Sequence, residues 1–178
     1  MPPTDPFALL PQVPSFTLAS ANVGDGAQLP TPQRSGIFGV PGGEDLSPQL
    51  SWSGAPESTR SYAVTMYDPD AVTGSGFWHW AVANIASDTT SLPEGAGDDV
   101  GSGLPAGAIQ LPNDARAARY VGGAPPAGGG LHRYFITVYA LDVDDIGVAP
   151  DGTPAFLGFL MAEHTLARAT IVAPSGNP

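Results

Sequence analysis

Residues 61–85 read SYAVTMYDPDAVTGSGFWHWAVANI, and the two ends of this stretch set the fold class. Ser61–Asp68 is dense in aromatic and β-branched residues, and both of its alternate sets are largely apolar, the pattern of a strand covered on both faces. Asp68-Pro69-Asp70 ends it, because Pro69 has no N–H to give a ladder. Thr73-Gly74-Ser75-Gly76 turns the chain, and Phe77–Ile85 is a second strand of the same kind. A third, Leu131–Asp142 (LHRYFITVYALD), follows a Gly/Pro-rich loop over 113–130. Loops that long are uncommon unless they serve a site. Weaker strand candidates lie at 15–18, 49–52, 108–111 and 169–172. Pro154–Arg168 is the one segment that reads as a helix. Pro154 suits a first turn, and Phe156, Leu157, Leu160, Met161, His164 and Ala167 fall near one helical stripe. Many strands and a single late helix predict a β-dominated sandwich.

The chain of 178 residues suits one domain. Its first 14 residues carry prolines at 2, 3, 6, 11 and 14 and read as an extended arm. Residues 15–172 read as a single domain, and 173–178 as a flexible tail. The 23 Gly and 20 Pro follow no collagen period. All six cations are Arg, against 17 Asp and Glu, for a net charge of −11. With no basic stripe, binding to nucleic acid or to an anionic membrane surface is not expected. The absence of Cys excludes disulfides and Cys-ligated metal or Fe–S sites. The absence of Lys excludes a Walker-type phosphate loop in the Gly-rich run 122–130. Residues 1–12 carry no signal-type apolar run, and no 18-residue apolar stretch is present, so the expectation is a cytoplasmic protein with no integral membrane association.

Ionisable groups in buried strands need a reason to be there. Asp68, Asp70, His79, His132 and Arg133 are the exceptions here. His79, between Trp78 and Trp80, suits a core histidine bonded to a backbone carbonyl as well as a ligand contact. Alternation puts His132 and Tyr134 on one face and Arg133 on the other. Arg133 is best read as half of a structural ion pair with Asp68 or Asp70. Zinc or iron is disfavoured because the spacing fits no short metal motif, so no metal or other cofactor is expected. A serine hydrolase is disfavoured because no Gly-x-Ser-x-Gly occurs. What remains is a small polar concavity at strand ends, walled by aromatics and suited to an anion.

Asp68-Pro-Asp-Ala71 followed by Phe77-Trp-His-Trp-Ala-Val-Ala-Asn84 resembles the first signature of the phosphatidylethanolamine-binding protein family. Ala124-Pro-Pro-Ala-Gly-Gly-Gly-Leu-His-Arg-Tyr134 resembles the second. Its bacterial, Raf-kinase-inhibitor-like branch is the most similar, over about residues 15–172. The resemblance implies a mainly β fold, an antiparallel β-sandwich with a peripheral C-terminal helix. It also implies a pocket for small anions, including the phosphate groups of lipid heads and nucleotides. By motif the pocket residues are Asp68, Asp70, His79, His132 and Tyr134, with Pro125 and Pro126 shaping one wall. Three positions depart from the family pattern. Val72 replaces the Pro that usually closes the first motif, Arg119-Tyr120 replaces Gly-Tyr, and the usual closing Gly-Thr-Tyr is absent. If that Pro is normally cis, Val72 must hold a non-proline cis bond or relax to trans.

Two functions of different class follow. The first is a binding module for a small anion or phosphorylated headgroup that regulates a protein partner, as a kinase or protease inhibitor does. The second is a pocket repurposed for acid–base catalysis on a small molecule, with His79, His132 and Asp68 as the working groups. A structural homodimer with a vestigial pocket is a third reading.

Overall fold

The structure, a computed structural model, describes residues 5–177. Strand β1 (Thr17–Ala19) pairs with β2 (Leu50–Ser53), and β2 with β5 (Ser91–Leu92), in a small antiparallel sheet. The larger sheet has the order β6-β4-β3-β7-β8. Its strands are β3 (Ser61–Asp68), β4 (Phe77–Ala86), β6 (Ile109–Gln110), β7 (Leu131–Leu141) and β8 (Thr165–Gly176), all antiparallel. The three strands expected to be strongest are its centre. Among the described residues one helix, α1 (Pro154–Met161), completes the secondary structure apart from a single 3-10 turn at Thr31–Gln33. This is the mainly β sandwich the sequence implies.

The large sheet is covered on both faces, as the doubly apolar strands require. Tyr62, Val64 and Met66 of β3 and Ile136 and Val138 of β7 turn inward, packing with Trp52, Leu50 and Leu92 of the small sheet. Ala63 of β3, Ala81 and Ala83 of β4 and Tyr139 of β7 turn outward, under Leu157 and Met161 of α1. Trp80, Leu50, Met66, Ile136 and Leu157 are fully buried, and such side chains contribute about 1.5–3 kcal/mol each by leaving water.

The end of the chain differs from expectation. The helix stops at Met161, where the expected one ran to Arg168. Thr153 caps its start by accepting from the Phe156 N–H at 3.1 Å. Past Met161 the chain turns and forms β8, which pairs with β7 from Thr165 to Gly176. Ala167, Ala169, Ile171, Ala173 and Ser175 alternate inward along it. Three of these five are Ala, a poor β-former, so the period of 2 is faint in the sequence; eleven residues of β7 edge impose it. His164 lies in the turn and pairs with Asp142 at 2.8 Å rather than continuing a helical stripe. Residues 173–176, expected as tail, belong to the strand. At the other terminus, residues 1–4 of the expected arm lie outside the described residues. The remainder docks on the outer face, where Phe7 meets the rings of Phe135 and Tyr139 edge-on at 5.8 and 6.5 Å. No helix among the described residues is long and apolar enough to cross a membrane.

Candidate functional site

Three strand ends of the large sheet converge on a cavity of about 140 Å³ lined by Asp68, His79, His132, Tyr134, Phe77 and Pro126, among others. Asp68 closes β3 and His132 opens β7. Because β3 and β7 are antiparallel neighbours, the end of one lies beside the start of the other. The Asp68 carboxylate and the His132 imidazole are 3% and 4% exposed, and Nδ1 lies 2.7 Å from Oδ2. The other carboxylate oxygen of Asp68 accepts from the Asp70 N–H at 2.8 Å. The carboxylate thus fixes the imidazole ring, and His132 keeps Nε2 for other chemistry.

His79 reaches the same cavity through a β-bulge. Met66 pairs with Trp80 and Tyr67 with Trp78, which leaves His79 without a partner in the register. A bulge turns the side chain it displaces. Here it sends His79 inward, its ring 5.2 Å from Tyr134 and 4.7 Å from Phe77. It also separates two tryptophans that strict alternation would put on one face. Trp80 goes to the inner core, and Trp78 packs on Tyr67 with ring centres 4.3 Å apart at a tilt of 34°.

The His79 Nδ1 lies 2.9 Å from the Val121 carbonyl. A carbonyl only accepts, so Nδ1 carries the proton and Nε2 a lone pair. That Nε2 is buried with no hydrogen-bond partner among the described residues. Burial holds the imidazole below its ordinary pKa, against opposing contributions from the Val121 carbonyl and the Asp68 carboxylate. His79 is therefore a neutral acceptor at pH 7.

The long loop after β6 is held against this site by its own polar groups. Val121 N–H donates to the His79 carbonyl at 3.1 Å, closing a two-way tie with the ring. Asn113 donates to the same carbonyl at 3.3 Å. The buried Asp45 carboxylate accepts from Gly122 N–H at 2.8 Å and from Ile37 N–H at 2.9 Å. At Gly123 a Cβ would stand 2.6 Å from Tyr134 Cζ, so the loop can pass the ring only as glycine. The buried Tyr134 hydroxyl is pushed well above its ordinary pKa, chiefly by desolvation. It stays protonated and can donate.

Two expected site residues lie elsewhere. The Asp70 carboxylate does not line the cavity. It grips Arg133 in a bidentate pair, with Nε and Nη2 each donating at 2.7 Å and the Arg133 backbone N–H at 3.0 Å. This is the expected ion pair, with Asp70 rather than Asp68 as its partner. Arg133 also lies over Phe135, 5.4 Å from the ring centre. Asp-Pro-Asp thus holds two successive residues of β7, Asp68 taking His132 and Asp70 taking Arg133. The guanidinium holds the Asp70 carboxyl below the usual range. Pro125 faces a neighbouring cavity of about 390 Å³, which also takes in Arg34 and shares Phe38, Ala124 and Pro126 with the first. Phe38 was not foreseen. It comes from a loop with no periodicity, and its ring meets Phe77 at 6.4 Å. Among the described residues no cluster of His, Asp or Glu is arranged to hold a metal.

Residues 19–175 match the family model described as phosphatidylethanolamine-binding protein. The chain belongs to the phosphatidylethanolamine-binding protein family. Escherichia coli K12 YbcL is 43% identical over 160 residues, 90% of this chain and 87% of that protein. YbhB from the same organism is 42% identical over 158 residues, 88% of this chain and 97% of that protein. The crystal structure of E. coli YbcL, titled a new member of the mammalian PEBP family, superposes with a TM-score of 0.88 at 41% identity, covering 92% of this chain and 99% of that one. Against the family pattern, Val72 sits 84% exposed on the cavity rim, and no peptide bond among the described residues is cis. Arg119 pairs with Asp99 at 2.7 Å, while the buried Tyr120 hydroxyl donates to the Gln33 carbonyl at 2.7 Å. Where the closing motif is missing, β8 still covers the start of β7, Ser175 opposite His132.

Proposed function

We propose that the cavity at Asp68, His79 and His132 binds the phosphate group of a small molecule or lipid head, and that its occupancy is read by a protein partner. Family membership supports a ligand-binding role. The observation that carries the finer reading is the pair of oriented imidazoles on one small cavity, His132 fixed by a buried carboxylate and His79 by a backbone carbonyl. A volume of about 140 Å³ suits a phosphate-sized group, against roughly 300–1,000 Å³ for drug-sized ligands. The neutral His79 selects for a donor, and a singly protonated phosphate supplies one: its P–O–H donates to His79 Nε2. The Tyr134 O–H is a donor for its charged oxygens. Exposed Val72, on the rim, is where a partner would sense the occupant. The proposal carries a cytoplasmic setting, which cell fractionation tests.

Calorimetric titration with phosphate, phosphoethanolamine and a mononucleotide tests the proposal. Saturable 1:1 binding by the wild type, lost in His79→Ala/His132→Ala, is the expected result. No binding of any of the three by the wild type would overturn it.

The buried Asp68–His132 pair also favours a second reading. A carboxylate that orients an imidazole is the arrangement used in general acid–base catalysis. Turnover of a candidate substrate that survives intact in His132→Ala would remove that reading.

A further inference from the structure

Behind the large sheet, on the face opposite the phosphate cavity, lies a second and larger cavity of about 530 Å³. Its volume falls within the roughly 300–1,000 Å³ range of small-molecule sites. The docked N-terminal arm forms one wall with Phe7 and Leu10, and the sheet forms the floor with Tyr67 and with Trp78, which the bulge at His79 turns outward. The third wall is α1. Leu157 buries the helix against the sheet, whereas Ala155, Gly158, Phe159 and Ala162 line the cavity together with the edge of the buried Met161. These four fall at i, i+3, i+4 and i+7, a complete second apolar stripe.

Two features of this cavity are not needed for packing. The first is Gly158, in the middle of an eight-residue helix. Glycine there weakens the helix relative to alanine, and a Cβ at this position would meet nothing within 4 Å. Close approach does not require the glycine; its effect is to leave the cavity open. The second is Arg168. Among the residues lining the cavity it carries the only charge, in a chain of net charge −11. Its guanidinium donates to the Pro11 carbonyl at 3.2 Å and lies 5.1 Å from the centre of the Phe7 ring. Among the described residues it has no acidic partner, unlike Arg60, Arg119 and Arg133.

We propose that this cavity is a second ligand site, for an amphiphile with an apolar chain and a single carboxylate. The chain lies along the Ala155–Ala162 stripe over Trp78, and the carboxylate pairs with Arg168. The site is independent of the phosphate reading.

The probes are decanoate, decan-1-ol and decyltrimethylammonium, three heads on one chain, each used below its aggregation threshold. Tryptophan fluorescence reports directly, because Trp78 is in the wall while Trp52 and Trp80 are buried on the inner side of the sheet. Decanoate is expected to give a saturable change and to bind at least about tenfold more tightly than either other probe, the difference that a charge-assisted pair supplies. Arg168→Gln abolishes that preference. Gly158→Leu fills the cavity and abolishes binding of decanoate while keeping or raising the thermal midpoint. Ala155→Leu, one turn earlier on the stripe, repeats the block and guards against a failure peculiar to position 158. His79→Ala/His132→Ala leaves decanoate binding unchanged. The proposal is overturned if decanoate gives no saturable change, if Gly158→Leu and Ala155→Leu bind it as the wild type does, or if the cationic probe binds as tightly. Light scattering that shows a dimer dissolved by Gly158→Leu would assign the face to a second copy of the chain and overturn it equally.

Discussion

Asp68 Oδ2 and His132 Nδ1 stand 2.7 Å apart with both side chains almost wholly out of water. They are joined across strands by 64 positions of sequence, so the pair exists only once β3 and β7 are in register. Each partner also depends on the other for satisfaction. Asp68→Ala leaves the His132 ring and the Asp70 N–H without their acceptor. Unpaired buried donors cost about 1–3 kcal/mol. A urea titration should show a loss of that size, with phosphate affinity falling alongside it.

The Asp70–Arg133 pair is predicted to be separable from binding. Both side chains are about a quarter exposed, which reduces the pair's worth. Asp70→Asn is expected to cost about 1–2 kcal/mol and to change phosphate affinity by less than about twofold. The folded-state pKa of Asp70 is depressed below 3.8, so its contribution is present above that value and is lost as pH falls through the folded pKa. Denaturation curves of wild type and Asp70→Asn should converge once pH has fallen through that folded pKa. A gap that persists there would contradict the pair as the source.

His79 gives a second, separate pH signature. Its folded pKa lies below the ordinary 6.5 because burial disfavours the charged form. Above about pH 6.5 neither state is protonated there. As pH falls below that value the unfolded chain takes up a proton and the folded one does not, so stability drops until the folded pKa is reached. His79→Gln should flatten this slope as pH falls below about 6.5. An unchanged slope would mean that another group is responsible.

Gly123→Ala tests how the loop supports the site. A Cβ 2.6 Å from Tyr134 Cζ must displace a ring buried between His79 and the core. Overpacking of this kind costs about 1–3 kcal/mol, and the displaced ring should weaken phosphate binding. Gly107→Ala, where nothing lies within 4 Å but φ is +87°, should show the backbone strain without the loss of binding.

The central sheet was legible because its strands are apolar on both alternate sets; ionisable groups interrupting that pattern singled out 68, 79 and 132, and the resemblance to the family motifs, rather than periodicity, drew them into one pocket. The bulge was not legible. Nothing in FWHWAVANI says that His79 will drop out of register, yet this decides where both His79 and Trp78 point. Only 169–172 of strand β8 was legible, since inward alanines read equally well as a helix until a partner strand is present. Phe38 and Asp45, which wall the cavity and anchor its loop, come from a loop-rich stretch in which position depends wholly on long-range contacts. The choice of Asp70 over Asp68 for Arg133 likewise follows from the turn at Pro69, a geometry that spacing alone leaves open.

The most direct test of the phosphate reading is an imidazole-detected ¹⁵N NMR titration of the full chain with inorganic phosphate at pH 7. The account predicts that the Nε2 resonances of His79 and His132 shift on saturation, while His79 Nδ1, held on Val121, and both nitrogens of His164, paired with Asp142 outside the cavity, barely move. Unmoved Nε2 signals at His79 and His132 under saturating phosphate would contradict it.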